Sequence, residues 1–153
     1  MVLTSVAPIE WALVRQLRSN VVLKGALKGD INRGFAPQKT AYPFIVYSLH
    51  YAPNRYTWGG VVTEAGFDVV VFATDEGVAD SIAQLINQTL ADAKLLVDGQ
   101  TSLMCRPRSA ISITDIDDQG LRYFEKGFVV DIWTSQQLPT AGSLTFTADS
   151  TLA

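Results

Sequence analysis

Hydrophobic residues crowd together and then space out between positions 67 and 93. Phe67-Asp68-Val69-Val70-Val71-Phe72-Ala73-Thr74 is β-branched, aromatic and apolar on both faces, which suits a strand that meets protein on both sides. The period then changes. Val78, Ile82, Leu85, Ile86 and Leu90 recur at spacings of three and four, predicting an amphipathic helix that lays one apolar stripe on a sheet. Thr74 or Asp75 is placed to cap its first N–H groups, and Asp75 and Glu76 put negative charge at its positive end.

The same patterning orders the rest of the chain. Ile9, Ala12, Leu13 and Leu17 predict a helix over 6–19, with Ser5 at a capping position and Pro8 in the first turn. Ser19-Asn20 ends it, and a short further turn carries Val21, Val22, Leu23 and Leu27. Residues 31–36 fit a short strand, and 37–43, bracketed by two prolines, fit a loop. Phe44–Tyr51 is a strand, Trp58-Gly59-Gly60 a reversal, and 61–74 the returning strand, so 44–74 is a long hairpin. After a turn at 97–100, residues 102–116 form a strand in which Pro107 demands an edge position, a bulge or a break. Asp117-Asp118-Gln119-Gly120 turns the chain into a partner strand over 121–134. From Gln136 onward Ser, Thr and Ala dominate, with Pro139, Gly142 and the single charge Asp149. This predicts one domain over 1–135, then a C-terminal arm over 136–153 that is flexible or orders against a partner. Helix, hairpin, helix, hairpin gives the α+β class: a mostly antiparallel sheet of two long hairpins, with an N-terminal and a central helix packed on one face.

Composition narrows function more than fold. The 153 residues are 48% hydrophobic and 18% charged, enough to bury roughly 70% of the unfolded surface in one domain. A net charge of −3 argues against a dedicated nucleic-acid binder, though not against DNA passing nearby. The lone Cys105 makes neither an intramolecular disulfide nor a multi-cysteine metal site. The first eight residues lack the basic start and apolar core of a signal peptide, and no apolar run spans a membrane; the expectation is a soluble intracellular product.

Candidate chemistry is sparse. His50 is the single histidine, inside an apolar strand, and no Gly-x-Ser-x-Gly elbow accompanies it. Asp115, Asp117 and Asp118 with Gly120 suggest the start of a calcium loop, but the twelfth position is Lys126 where that loop needs glutamate. They read as a solvated acidic turn. Residues 25–30 lack the spacing and the Lys-Ser/Thr ending of a phosphate loop. Arg106 and Arg108, on alternate strand positions, are expected to share a face and, with Arg122, to form a small basic spot. Arg55, Tyr56 and Trp58 at the first hairpin tip are the best candidates for a contact, because Arg and aromatic side chains concentrate at interface centres. No catalytic, cofactor or metal residues are assigned.

The order of these elements resembles the small tail-completion and tail-terminator proteins of long-tailed bacteriophages. The likeness runs from residue 8 to about 135. It rests on the helix carrying Leu13 and Leu17, on Tyr42-Pro43-Phe44-Ile45-Val46-Tyr47, on the strand-to-helix unit from Phe67 through Ala79, Ile82, Leu85, Ile86 and Leu90, and on Gly127-Phe128-Val129-Val130-Asp131-Ile132-Trp133-Thr134. The resemblance implies a non-enzymatic virion protein forming a hexameric ring at the head-proximal end of the tail. Such a ring caps the tail tube, docks on the head connector and lets DNA through its channel, past the turn of Asp115, Asp117 and Asp118. Its partners are other copies of itself, the tail tube protein and the connector or stopper protein, without a membrane or a cofactor. Two other readings compete: a head-side connector or stopper ring, and a small ligand-binding or enzymatic domain with a pocket near His50 or Cys105.

Overall fold

The computed structural model describes residues 6–137. Three helices and six strands follow in the order α1 (Ala7–Ser19), α2 (Val21–Ala26), β1 (Ile31–Arg33), β2 (Phe44–Tyr51), β3 (Asn54–Thr57), β4 (Gly60–Ala73), α3 (Glu76–Leu90), β5 (Thr101–Ile116) and β6 (Arg122–Gln137). The strands form one sheet in the order β1-β2-β4-β6-β5, with β3 beside β4. All pairings are antiparallel except β1 with β2, which is parallel. The helices cover one face, so the chain is α+β with a mostly antiparallel sheet.

Strand β4 lies at the centre. Val61, Thr63, Ala65, Phe67, Val69, Val71 and Ala73, its alternate residues, are all buried. Those from Ala65 to Ala73 share one core with α3 and with Val130 and Ile132 of β6, while Ile9, Leu13 and Leu17 of α1 and Leu23 of α2 complete it. Each large aliphatic side chain taken from water contributes roughly 1.5–3 kcal/mol. Asp75 caps α3 by accepting a hydrogen bond from the Val78 N–H at 3.1 Å. Lys126 Nζ on β6 lies 3.7 Å from both Glu76 and Asp80 and fixes the first turns of α3 over the sheet.

The expected elements are present, with instructive shifts. The stripe of α3 is turned by one position: Ala79, Ile82, Ala83, Ile86 and Leu90 are buried, whereas Val78 is exposed and Leu85 half-buried. Alanines at 79 and 83 take up part of the buried face beside Ile82, Ile86 and Leu90, which leaves Val78 and Leu85 at its rim. Val6 precedes α1 without a side-chain cap, and Ser5 lies outside the described residues. The first hairpin is interrupted at Ala52-Pro53, and its register shifts between Leu49 and Tyr51. The reversal is built on Gly59, at φ 83°. Strand β6 runs to Gln137, and the arm expected beyond it lies outside the described residues.

Two glycines allow close approaches on the face away from the helices. A Cβ on Gly66 would sit 2.2 Å from the Tyr51 ring, and one on Gly127 would sit 2.0 Å from the Val69 carbonyl oxygen. Gly66→Ala and Gly127→Ala are each expected to cost about 1–3 kcal/mol in chemical denaturation. Because the Gly66 obstacle is a side chain and the Gly127 obstacle is backbone, a Tyr51→Ala background should remove most of the first cost and none of the second.

Candidate functional site

The face of the sheet opposite the helices carries the polar chemistry of the molecule. Alternation places Glu64, Gly66, Asp68, Val70 and Phe72 of β4 there, opposite Trp133, Asp131, Val129, Gly127 and Glu125 of β6. At its middle, the Tyr51 ring of β2 lies across Gly66, and its hydroxyl donates to Asp131 Oδ1. Arg108 of β5 completes the triangle: its Nε donates to Asp131 Oδ2 at 2.8 Å and its NH2 to the Tyr51 hydroxyl at 3.0 Å. The guanidinium also stands 5.9 Å from the Tyr51 ring centroid. Asp131 is only 8% exposed, and a buried carboxylate needs such partners. The hydrogen bond to Asp131 pushes the Tyr51 phenol above its usual range, since it favours the protonated donor. The three side chains thus strap β2, β4, β6 and β5 together.

Arg55 is likewise tied down, its Nε 2.6 Å from Glu64 Oε1. His50 Nδ1 is 3.5 Å from Asp68 Oδ2 and about half exposed. Cys105 is buried, and its desolvated thiol is pushed up to about 12, so it stays protonated and unreactive at neutral pH. Clefts of about 490 and 480 Å³ lie around Tyr42, Phe44 and the 117–121 turn; neither includes His50 or Cys105. Among the described residues no three His, Cys, Asp or Glu side chains converge to hold a metal ion, and no helix is long and apolar enough to cross a membrane.

One end of this face is aromatic. Phe44 and Phe72 stack with centroids 5.0 Å apart, Phe72 and Tyr123 at 5.7 Å, and Tyr42 closes on Phe44 at 5.2 Å. Burial among these rings, with Asp115 nearby, holds the Glu125 carboxyl above its usual range. In the adjacent turn, Asp117 Oδ1 accepts from the N–H groups of Gln119 and Leu121 at 3.0 and 2.8 Å, while Asp115 and Asp118 are exposed.

The sheet therefore separates residues that the sequence placed together. Arg106 reaches Asp92, just after α3, at 3.3 Å, while Arg108 reaches Asp131. The register shift between Pro107 and Ser109 breaks the alternation that would have aligned the two arginines. Arg122 pairs with Ile116 at the far end of the hairpin, so no shared basic spot forms. At the first hairpin tip Arg55 is held by Glu64, but Tyr56 is 58% and Trp58 103% exposed. Tyr51 and Asp131 were not singled out by sequence reasoning, being 80 residues apart. Gly66, a glycine inside an apolar strand, was the available signal of a close approach there.

The model of the family described as "Tail completion protein gp17" matches residues 11–135. The chain belongs to that family. It is accordingly a structural tail protein of the bacteriophage type, a component of the virion, and the likeness read from its element order is correct. A solved chain from the "Virion of native gene transfer agent (GTA) particle" shares the fold, with a TM-score of 0.57 at 16% identity, covering 82% of this chain and 92% of that one. A search of curated proteins finds no significant match. The family match spans nearly every element described above, α1 through most of β6, so the fold and the strapped sheet belong to the matched region.

Two measurements probe this face. Tyr51→Phe keeps the ring over Gly66 but removes the donor to Asp131, and should cost about 1 kcal/mol in denaturant unfolding. The raised Glu125 carboxyl opposes folding only when ionised, so its contribution is favourable at low pH and is lost as pH rises through the folded value. Glu125→Gln should therefore raise Tm at pH 7, and the gain should vanish below about pH 4, where the parent carboxyl is protonated in both states.

Proposed function

We propose that this tail completion protein works as a ring subunit, a hexamer at the head-proximal end of the tail, and that it carries out no catalysis. In this reading the ring caps the tail tube and joins it to the head connector, with the DNA sliding through its channel. The observation that supports it best is the hairpin tip. Trp58 is fully exposed in the turn between β3 and β4, where β4 is also paired with the end of β6, and a tryptophan held in water by an ordered turn suits an interface anchor. Tyr56 stands beside it, and Arg55, spent on Glu64, stiffens the stem. Arg106 and Arg108 offer a second contact region along β5, with Arg106 the more available because its partner Asp92 is itself exposed.

The acidic turn of Asp115, Asp117 and Asp118 suits a channel-facing position. Carboxylates repel phosphates and let DNA slide, whereas a row of free Lys and Arg would hold it. The open face adds Glu64, Asp68, Glu125 and Asp131, against Arg55 and Arg108, which are both ion-paired to it. Residues 1–135 would supply the body of each subunit, and the chain from Gln136 onward an arm between subunits. A head-side connector or stopper would use the same kind of ring, and the phenotype on loss of the protein separates them. Over-long tails indicate a terminator, and complete but unjoined heads and tails indicate a joining protein or a connector.

Light scattering after size exclusion, alone and with purified tail tube, tests the ring. The expected result is a closed oligomer in at least one condition; a strict monomer in both contradicts it. Trp58→Ala should leave stability within about 0.5 kcal/mol of the parent, yet abolish assembly and the ability of supplied protein to restore infectious particles. Unchanged assembly would remove the tip from the interface. Infectivity lost with His50→Ala while assembly persists would instead favour a chemical role for His50.

A further inference from the structure

Strand β5 is an edge of the sheet: β6 pairs its inner side, and no described strand pairs its outer side. An open edge offers backbone donors and acceptors to any added strand, and proteins normally blunt it with charge, proline or bulges. The two halves of β5 differ in this respect. The first carries Arg106, Pro107 and Arg108 and shifts register between Ser102 and Met104 and again between Pro107 and Ser109. The second, Ser109-Ala110-Ile111-Ser112-Ile113-Thr114, has no charge, glycine or proline and an unbroken register. Its residues are mostly exposed, including Ile113. This half has the properties of a strand-addition template.

The chain carries a segment of matching sequence pattern. Beyond Gln137, Ser143-Leu144-Thr145-Phe146-Thr147-Ala148 alternates polar and apolar residues without a charge, the pattern of a half-buried strand. Chain length decides whose edge it can reach. Ser109 pairs with Val129, and the eight steps from there to Gln137 cover about 27 Å. The six steps from Gln137 to Ser143 span at most about 21 Å. A chain therefore cannot bring its own segment alongside its own Ser109–Thr114 from end to end, whereas the segment of a second copy meets no such limit.

We propose that Ser143–Ala148 of one copy adds as a strand to the free edge Ser109–Thr114 of the next. The contact is head-to-tail, arm to edge, and so repeats from copy to copy as a closing ring requires. It rests on the reading that the chain assembles with itself, and it names the backbone pairing that links neighbours.

Disulfide trapping tests it directly. Ala110→Cys protein is mixed with Thr145→Cys or Phe146→Cys protein, leaving buried Cys105 in place, and oxidised. The expected product is a disulfide-linked dimer of the two different variants. The Ala110→Cys/Phe146→Cys double variant should link into multimers, and a purely intramolecular closure would overturn the proposal. A chain ending at Gln137, and full-length Phe146→Pro, should keep the parent Tm and self-associate roughly tenfold more weakly or worse. Assembly of both at parental strength, without a cross-link, overturns the arm and leaves the ring reading intact. A full-length chain that stays monomeric even with tail tube overturns both.

Discussion

The pairing of β4 with β6 is the constraint on which the rest depends. It runs unbroken from Gly60 opposite Gln137 to Ala73 opposite Phe124, and it joins two hairpins that are otherwise separated by α3. Without it β2–β4 and β5–β6 would be isolated ribbons, each with an apolar face too small to stand alone in water. With it, the alternate residues of β4 and β6 become one surface broad enough for α3, with α1 and α2 packed behind. The helices contribute burial; the β4–β6 ladder decides where that burial can occur.

The same pairing sets the chemistry of the opposite face. Gly66 meets Asp131 across the ladder, and the missing side chain at 66 is what lets Tyr51 cross β4 to reach that carboxylate. Arg108 then closes the triangle from the outer strand. All three polar groups are satisfied by one another, so the cluster acts as a strap. In the His50–Asp68 pair the imidazole is exposed and the carboxylate half-buried, and the Cys105 thiol is buried and protonated. Asp68 Oδ1 on β4 is buried without a hydrogen-bond partner among the described residues, and at the periphery stand an aromatic tip at Trp58 and an uncharged edge along β5 that no described strand pairs.

Much of this was legible in the residues themselves. The switch from Val69-Val70-Val71 to the three-and-four spacing after Val78 located β4 and α3, and Pro107 called for an edge position, a bulge or a break in β5, of which the strand has the first two. The turn of α3 onto Ala79 and Ala83 was not legible, because an amphipathicity pattern weighs large side chains while close packing selects small ones. Strand β1 is three residues long and parallel to β2, and so short an element carries no period. The Tyr51–Asp131–Arg108 strap joins residues far apart in sequence through a register that only the fold supplies, and Arg106 and Arg108 diverged because of a bulge. The family resemblance succeeded because it rested on the order of buried positions, which are the ones fixed by the β4–β6 core.

In the proposed assembly, β4, β6 and α3 act as the support while contacts between copies form at the hairpin tip and the β5 edge. Amide hydrogen exchange of the free protein against the protein in assembled tails measures this residue by residue. Backbone amides of β4 and β6 should exchange slowly in both states, and new protection should appear at residues 54–60 and 109–114 on assembly. Equal exchange at both of those segments in free and assembled protein, with new protection elsewhere, would contradict it.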